Sequence, residues 1–209
     1  MIIDGNITTY IHSLEPDGPE WLAKIRSYAE EKNVPVIRRE VEPFLNVLLN
    51  ISSPERILEI GSGIGYSALF MNCVLPSAKI LTIENYEPRL RDCRRFLADK
   101  DHITLIEGDA AVIIRGMSEP ADFIFLDAAK GQYIQMLPDI KRLLKPGGLL
   151  LADNVLQDGT LVRSRYIVPR RQRTIHSRMR EFLWEVKHCP EFDASVITVG
   201  DGMLLGIRK

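Results

Sequence analysis

The stretch "RILEIGSGIGYS" (residues 56–67) combines three local patterns that together specify a fold. It begins with a short run rich in Ile and Leu, which predicts a strand. Three glycines at alternate positions follow, and they permit a tight turn in which a ligand can approach the backbone. The next segment, "GYSALFMNCVL" (65–75), has the apolar spacing of a helix. A strand, a glycine-rich turn and a helix predict one unit of a parallel sheet, with a ligand site at the turn.

The alternation of strand and helix continues downstream of this stretch. Four further strand-like runs are separated by helix-like segments: "KILTIE" (79–84), "ITLIEG" (103–108), "ADFIFLD" (121–127) and "GGLLLAD" (147–153). This pattern predicts an α/β fold, a mostly parallel sheet with helices on both faces. The C-terminal "ASVITVGDGMLLGIRK" (194–209) breaks the alternation with two strand-like runs joined by a Gly-Asp-Gly turn. We therefore expect a hairpin and an antiparallel C-terminal strand.

Two amphipathic helices are predicted before the sheet, in "GPEWLAKIRSYAEEKN" (18–33) and "RREVEPFLNVLLNI" (38–51). We expect residues 1–209 to form a single domain, in which N-terminal helices within residues 1–50 precede a nucleotide-binding core at 55–209. The sequence leaves open whether these helices cover the ligand site or contact a second copy of the chain. A homodimer is the expectation.

Composition excludes several other classes of protein. The chain has 209 residues and only three cysteines, which are far apart, and this argues against a disulfide framework or a zinc site. The N-terminus lacks a basic segment followed by an apolar one, and no run approaches the roughly 18 apolar residues of a membrane span. We expect a soluble, cytoplasmic protein without a membrane partner.

Acidic residues follow most of the predicted strands, at the edge of the sheet where α/β proteins bind ligands. Glu84, after the second strand, is placed to accept both hydroxyls of a ribose. The spacing G-x-G-x-G differs from the G-x-G-x-x-G of dinucleotide enzymes, and the nearby Glu59 and Asp109 are poor neighbours for a pyrophosphate. A cationic nucleoside fits better, and S-adenosylmethionine (SAM) carries both a sulfonium and an ammonium. The alternative is a nicotinamide-dependent dehydrogenase.

Two of the predicted strands end in residues with oxygen ligands. Asp127 closes the fourth strand, and Asp153 and Asn154 close the fifth. If the strands are neighbours, these side chains present a site for a hard cation such as Mg²⁺. Lys130 lies three residues after Asp127, and cationic neighbours would lower its pKa so that it could act as a general base. Taken separately, these residues are also common in turns and helix caps.

The motifs "LEIGSGIGYSA", "TIE", "GDA", "FLDAAKGQY" and "ADNVL" resemble, as a set, those of the cation-dependent O-methyltransferases, a family that includes catechol and caffeoyl-coenzyme A O-methyltransferases. The resemblance implies a Rossmann-like class I SAM-dependent methyltransferase fold with seven strands. It also implies catalysis by Lys130 and Asp127, and a divalent metal on Asp127, Asp153 and Asn154. The cofactor-binding residues that it implies are Val36, Glu59, Gly61, Ser62, Ser67, Glu84, Gly108, Asp109, Ala110 and Asp127.

Within this family the chain is most similar to bacterial tRNA 5-hydroxyuridine methyltransferases, through "YAEEKNVPV", "DAAKGQY", "DNVL", an arginine cluster near residue 170 and "VGDGMLLGIRK". This likeness implies methylation of the 5-hydroxyl of the wobble uridine in a tRNA anticodon loop. The alternative within the family is a catechol-like or other small molecule with adjacent oxygens.

Residues 163–180 hold seven arginines and no acid, although the whole chain has a net charge of −1. Such a run attracts phosphates and is consistent with binding an RNA loop, whose bases stack on aromatic side chains such as Tyr133 or Tyr166. The alternatives are a solvated helix face and, for the whole chain, a non-enzymatic RNA-binding module. The candidate RNA-binding residues are Arg165, Arg170, Arg171 and Arg173.

Overall fold

A computed structural model describes residues 4–209 of the chain, and within them seven strands form one sheet. The strands are β1 (Arg56–Ile60), β2 (Lys79–Glu84), β3 (Ile103–Glu107), β4 (Ala121–Leu126), β5 (Leu144–Ala152), β6 (Phe192–Ile197) and β7 (Met203–Arg208). Their order in the sheet is β3-β2-β1-β4-β5-β7-β6. Strands β1 to β5 pair in parallel, whereas β7 is antiparallel to both β5 and β6. The expected fold and its antiparallel C-terminal strand are confirmed.

The direction in which strands are added to the sheet reverses between β1 and β4. From β1 the chain proceeds outward to β2 and β3, and it then returns to β4 on the other side of β1. The carboxyl ends of β1 and β4 consequently meet at the point where ligands bind in open α/β sheets. The glycine-rich turn after β1 and Asp127 after β4 both lie at this point.

Helices cover both faces of the sheet. In residues 4–209 they are α1 (Gly5–Leu14), α2 (Glu20–Glu31), α3 (Val41–Ser52), α4 (Tyr66–Val74), α5 (Glu87–Leu97), α6 (Ala110–Gly116), α7 (Tyr133–Leu143) and α8 (Arg173–His188). Three short 3-10 helices lie in the loops, at Lys130–Gln132, Thr160–Val162 and Arg170–Gln172. The helices predicted near residues 18–33 and 38–51 correspond to α2 and α3 and are confirmed.

The core consists of two apolar layers, one on each face of the sheet. Successive residues of the central strands point alternately into one layer and the other. On β4, Phe123 and Phe125 pack into the layer that contains α2, α3, α4 and α5, and Ile124 and Leu126 pack into the layer that contains α7 and α8. All four side chains are completely buried. Since both faces of β4 are covered, its sequence is an almost continuous apolar run, as expected for a central parallel strand.

The N-terminal segment differs from the sequence-based expectation, because helix α1 occupies part of the stretch that precedes the two predicted helices. Asp4 caps α1 by accepting a hydrogen bond from the amide of Asn6. Ile7, Tyr10 and Leu14 of α1 are exposed, and Ile11 is half-buried. These four residues have the spacing of one helix face, so the sequence carries a signal for this helix. No helix within residues 4–209 combines the length and the apolar character needed to cross a bilayer.

Candidate active site

A cavity of about 550 Å³ opens at the carboxyl ends of the central strands. It lies where β1 and β4 meet, and it extends toward the ends of β2 and β5. A cavity of this size suits a small molecule or a nucleoside cofactor. The predicted site residues that line it are Val36, Gly61, Ser62, Ser67, Glu84, Gly108, Ala110, Asp127, Lys130, Asp153 and Asn154.

Gly61 fixes the spacing between the glycine-rich turn and the end of β4. Its φ angle of +104° lies in the region that favours glycine, and a Cβ atom at this position would overlap the backbone carbonyl of Asp127. The amides of Gly61 and Ser62 both donate to the carbonyl of Ile83 at 3.0 Å, so the turn is also attached to β2. The sequence requires glycine here because two strand ends approach each other closely.

Glu84 is a wall residue that is already hydrogen-bonded by the protein. One carboxylate oxygen accepts from the amide of Gly63 at 2.8 Å, and the other accepts from the amides of Asn85 and Tyr86 at 2.9 Å. The side chain is 7% exposed and lines the cavity. These backbone donors hold the carboxylate in one orientation and leave one of its about four lone-pair sites for a hydroxyl of a ligand.

Glu59 and Asp109 lie behind the cavity wall. Glu59 is fully buried and accepts hydrogen bonds from the hydroxyls of Ser67 and Thr82, and its contact with the cavity is made through Ser67. Burial raises the pKa of Glu59 to about 7, although both hydroxyl donors act to lower it. Asp109 caps α6 by accepting from the amide of Val112 at 3.2 Å. Neither carboxylate is among the residues that line the cavity, and their expected contact with a cofactor stays a prediction.

The three predicted metal ligands lie on adjacent strand ends. Leu126 of β4 pairs with Ala152 of β5, so Asp127 and Asp153 leave the sheet side by side. The amide of Asp127 donates to Ile60 at 2.9 Å, and the amide of Asp153 donates to Leu126 at 3.0 Å. Asn154 follows with a φ angle of +56° and also lines the cavity. Sequence reasoning correctly placed the three side chains on one edge.

The electrostatics of this edge favour a bound cation. Asp153 is only 2% exposed, and burial followed by repulsion from Asp127 raises its pKa to about 7. Positive charge between the two carboxylates would relieve both effects. Two carboxylates and an amide are hard oxygen donors that suit Mg²⁺. Within residues 4–209 no group of three or more His, Cys, Asp or Glu side chains has metal-binding geometry, because the third donor here is an asparagine.

Lys130 extends from the loop after β4 toward the same edge. Its Nζ donates to Asp127 Oδ1 at 2.6 Å and to the Tyr133 hydroxyl at 3.1 Å. Burial acts to lower the pKa of Lys130, but Tyr133 and Asp127 outweigh it and the net pKa lies above its ordinary value. The protein groups around Lys130 thus favour the ammonium form, and the lowering predicted from the sequence would come from bound cations.

Comparison with known proteins now identifies the family. Residues 12–209 match the family described as O-methyltransferase. The chain belongs to this family. It is 31% identical over 217 residues to caffeoyl-CoA O-methyltransferase 1 of Eucalyptus globulus, an alignment that covers 94% of this chain and 86% of the plant protein.

Two further comparisons concern the substrate class and the fold. The chain is 33% identical over 128 residues to the catechol O-methyltransferase of Niastella koreensis, which covers 57% of this chain and 58% of that protein. The crystal structure of an O-methyltransferase from Bacillus cereus in complex with S-adenosylhomocysteine superimposes with a TM-score of 0.85 at 22% identity, covering 98% of this chain and 97% of the other. The chain is therefore an O-methyltransferase by family, and it shares its fold with an enzyme whose crystal structure contains S-adenosylhomocysteine.

In this O-methyltransferase the arginine-rich run 163–180 divides into two groups. The guanidinium of Arg173 donates to the carbonyls of Tyr166 and Val168 at 3.1 Å. The guanidinium of Arg178 donates to the carbonyl of Gly131 at 3.1 Å, and that of Arg180 donates to the carbonyl of Leu161 at 3.2 Å. These three arginines hold loops in place. The other group consists of exposed residues whose guanidinium groups form no hydrogen bond or ion pair with any residue in the described part of the chain: Arg163, Arg165, Arg170 and Arg171.

The two candidate stacking aromatics of the methyltransferase differ sharply. Tyr133 is completely buried, so the prediction that it stacks on a base is wrong. Its hydroxyl donates to the carbonyls of Leu126 at 3.0 Å and Asp153 at 3.2 Å and accepts from Lys130. Tyr166 is 84% exposed and remains available. A signal for this difference exists in the sequence, because Tyr133 begins a helix-like segment in which it shares one face with Leu137 and Ile140, whereas Tyr166 lies in a polar stretch.

Sequence reasoning missed several residues of the methyltransferase cavity. Arg38 lines it next to the predicted Val36 and forms an ion pair with Asp158 at 3.0 Å, which connects the segment before α3 to the loop after β5. Tyr66 is buried and donates to Glu42 at 2.5 Å. These side chains come from segments far apart in the sequence, and their contacts depend on how the N-terminal helices pack. Further lining residues of this kind are Tyr86, Arg89 and Gln132.

Proposed function

We propose that this O-methyltransferase transfers the methyl group of SAM to the 5-hydroxyl of 5-hydroxyuridine at the wobble position of tRNA, giving 5-methoxyuridine, with the help of a divalent cation. One observation carries the proposal. The same cavity brings together Asp127, Asp153 and Asn154 with the amine of Lys130, and the exposed arginines follow in the loop that continues from Asn154.

The cofactor half of the cavity is formed by the ends of β1, β2 and β3. Glu84 is assigned to the ribose hydroxyls, because its carboxylate is oriented by three backbone donors and lies in the wall. Ser67 is assigned to the methionine end, and Glu59 supports it from behind. Asp109 orients α6, whose first residue Ala110 lines the cavity. Val36, Gly61, Ser62, Gly108 and Asp127 complete the proposed lining.

The acceptor half is formed by the ends of β4 and β5. Asp127, Asp153 and Asn154 would hold Mg²⁺ or another divalent cation, and their donor chemistry and the raised pKa of Asp153 fit such an ion. A bound cation of this kind lowers the pKa of a hydroxyl that it contacts. The C4 and C5 oxygens of 5-hydroxyuridine are adjacent, as are the two oxygens of a catechol.

Lys130 is assigned the role of accepting the proton of the acceptor hydroxyl at Nζ. Methyl transfer breaks the bond between the methyl carbon and sulfur, forms a bond between that carbon and the acceptor oxygen, and releases one proton. In the structure Lys130 is paired with Asp127 and favours the ammonium form, so it must lose a proton before it can act. Positive charge brought to Asp127 and to the cofactor site favours that loss.

The exposed arginines support an RNA substrate over a small one. Arg165, Arg170 and Arg171 are available to phosphates, whereas Arg173 is used within the loop itself. Tyr166 lies in the same loop and is exposed enough to stack on an unpaired base. The second candidate is a catechol-like small molecule, which the identity to caffeoyl-CoA and catechol O-methyltransferases favours.

Methyl transfer from labelled SAM tests the two candidates directly. We expect tRNA that carries 5-hydroxyuridine to be methylated, tRNA that carries unmodified uridine not to be, and activity to disappear with a metal chelator and return with Mg²⁺. Labelling of a catechol alone would overturn the tRNA assignment. The homodimer and the cytoplasmic location expected from the sequence stay predictions, and analytical ultracentrifugation tests the first.

A further inference from the structure

The loop that carries Lys130 is attached to α8, which belongs to the opposite end of the sequence. The guanidinium of Arg178 donates to the carbonyl of Gly131 at 3.1 Å. Gly131 is the residue next to Lys130 in the short 3-10 helix Lys130–Gln132. A part-buried charged donor thus holds the backbone one residue away from the amine, although the sequence placed Arg178 in a run expected to bind phosphates.

Helix α8 presents a continuous face to this loop. Ile175 lies near Gly131, with its Cγ1 atom 3.7 Å from the position of a Cβ added there. Phe182 packs edge-on against Tyr133 with ring centroids 5.4 Å apart. Ile175, Arg178 and Phe182 are spaced by three and four residues, which is the spacing of one side of a helix. Arg178 therefore lies on the side of α8 that also contacts this loop and Tyr133.

Tyr133 holds Lys130 from the other side. Its hydroxyl accepts from Lys130 Nζ and lies within hydrogen-bonding distance of the carbonyls of Leu126 and Asp153, the ends of β4 and β5. The ring is completely buried, so the position of its oxygen is determined by the core. The amine of Lys130 consequently has a second fixed partner besides Asp127, the hydroxyl of the buried Tyr133.

We propose that Arg178 and Tyr133 are positioning residues that fix the amine of Lys130 in the cavity, Arg178 through the backbone of Gly131 and Tyr133 through its hydroxyl. This inference rests on the proposed role of Lys130 in catalysis. A lysine side chain has four rotatable bonds, and its amine is not directional by itself. Displacement of a reacting group by about 1 Å can reduce the rate by about 100-fold.

The test compares Arg178→Met with Arg180→Met, a matched control on the same helix. Arg180 also donates to a loop carbonyl, that of Leu161 at 3.2 Å, but this loop does not carry Lys130. For Arg178→Met we expect kcat to fall about 10- to 100-fold, with the KM for SAM and the affinity for S-adenosylhomocysteine unchanged. Arg178→Lys restores one donor and should recover part of the rate. Tyr133→Phe should reduce kcat in the same manner, and Arg180→Met should leave kcat within about twofold of the wild type.

The outcomes separate this inference from the proposed function. Lys130→Met is measured in parallel, and if it retains full activity, the proposed function of Lys130 fails first. If Lys130→Met is inactive while Arg178→Met and Tyr133→Phe have the wild-type kcat, the positioning role is overturned and the proposed function stands. If Arg178→Met changes the KM for tRNA at constant kcat, Arg178 contacts RNA and the positioning role is again overturned. Thermal unfolding of each variant, expected to match Arg180→Met, controls for a general loss of structure.

Discussion

The two halves of the cavity differ in the groups that surround their carboxylates. At the ends of β1, β2 and β3, each acid is hydrogen-bonded by neutral protein donors: Glu59 by two hydroxyls, Glu84 by three amides and Asp109 by one amide. At the ends of β4 and β5, Asp153 accepts from one amide, that of Asn154, but it lies beside Asp127, whose charge raises its pKa, and Lys130 is the neighbouring positive charge.

This difference indicates different tasks. Acids that accept hydrogen bonds from fixed protein donors are held in one orientation and can orient a ligand or a wall. Burial and the charge of Asp127 raise the pKa of Asp153, and an added cation would relieve both effects. The cofactor half is thus organised before a ligand binds, whereas the acceptor half stores an electrostatic cost that a divalent ion would offset.

The largest expected effect comes from removing one charge of the acceptor half. Asp153→Asn keeps the shape of the side chain but removes a carboxylate from the proposed cation site, and we expect kcat/KM to fall by about 10²- to 10³-fold. The Mg²⁺ concentration required for half-maximal activity should rise. Initial rates measured as a function of Mg²⁺ check both results.

The control for this change is Asp122→Asn at the other end of the sheet. Asp122 accepts from Lys145 and from the amide of Arg56, far from the cavity lining. The same chemical change there should leave the Mg²⁺ requirement unaltered. An Asp153→Asn enzyme with the wild-type response to Mg²⁺ would show that the acceptor half does not bind the ion through this carboxylate.

The second prediction concerns the contact between the two halves. Gly61→Ala places a methyl group against the carbonyl of Asp127 at a φ angle of +104°, and we expect the free energy of unfolding to fall by about 3 kcal/mol. Gly63→Ala is the matched control, because a Cβ there meets only the carbonyl of Pro35 at 3.9 Å. Because the φ angle of Gly63 is +57°, we expect Gly63→Ala to lower the free energy of unfolding by only about 1 kcal/mol. Equal losses in urea denaturation would contradict a tight approach at Gly61.

The contrast between the halves also shows what a sequence can disclose. Local patterns predict where the strands lie, that most of them are parallel and which residues follow them. Each strand is a short apolar run, and the candidate metal ligands are the polar residues next to it. The hydrogen-bond partners do not follow. That Glu59 lies behind Ser67, that Tyr133 is buried, or that Arg178 reaches Gly131 depends on side-chain packing between segments distant in the chain. Helix α1 was missed although its apolar residues have helical spacing.

The third prediction concerns the pKa of Glu59, which lies in the cofactor half and accepts hydrogen bonds from two neutral hydroxyls. Its folded-state pKa is raised from 4.5 to about 7, so between these values the folded state binds more protons than the unfolded state. Stability from this group is therefore complete below its unfolded pKa and is lost as the pH rises through about 7. Glu59→Gln removes the titration. The free energy of unfolding of this variant, relative to that of the wild type, should rise by about 2 kcal/mol between about pH 5 and about pH 8.

Urea denaturation at several pH values measures this difference. Glu107→Gln is the control, because Arg94 lowers the pKa of Glu107 and both of its states are ionised throughout the same pH window. The difference between Glu107→Gln and the wild type should not change with pH. If the same were true of Glu59→Gln, the carboxylate would have another source of stabilisation, and the account of the cofactor half as an assembly of neutral donors would be wrong.

The smallest expected effect tests whether the exposed arginines serve the acceptor half. The guanidinium groups of Arg170 and Arg171 have no partner among residues 4–209, so their joint replacement by alanine should change stability by less than about 0.5 kcal/mol. Each lost phosphate contact should reduce the slope of log affinity for tRNA against log salt by about 0.7. Arg173→Ala should behave in the opposite way, lowering stability because it releases the carbonyls of Tyr166 and Val168. A double variant with unchanged tRNA affinity and salt slope would leave these arginines as a solvated surface and favour the small-molecule substrate, since a small acceptor requires only the strand-end site.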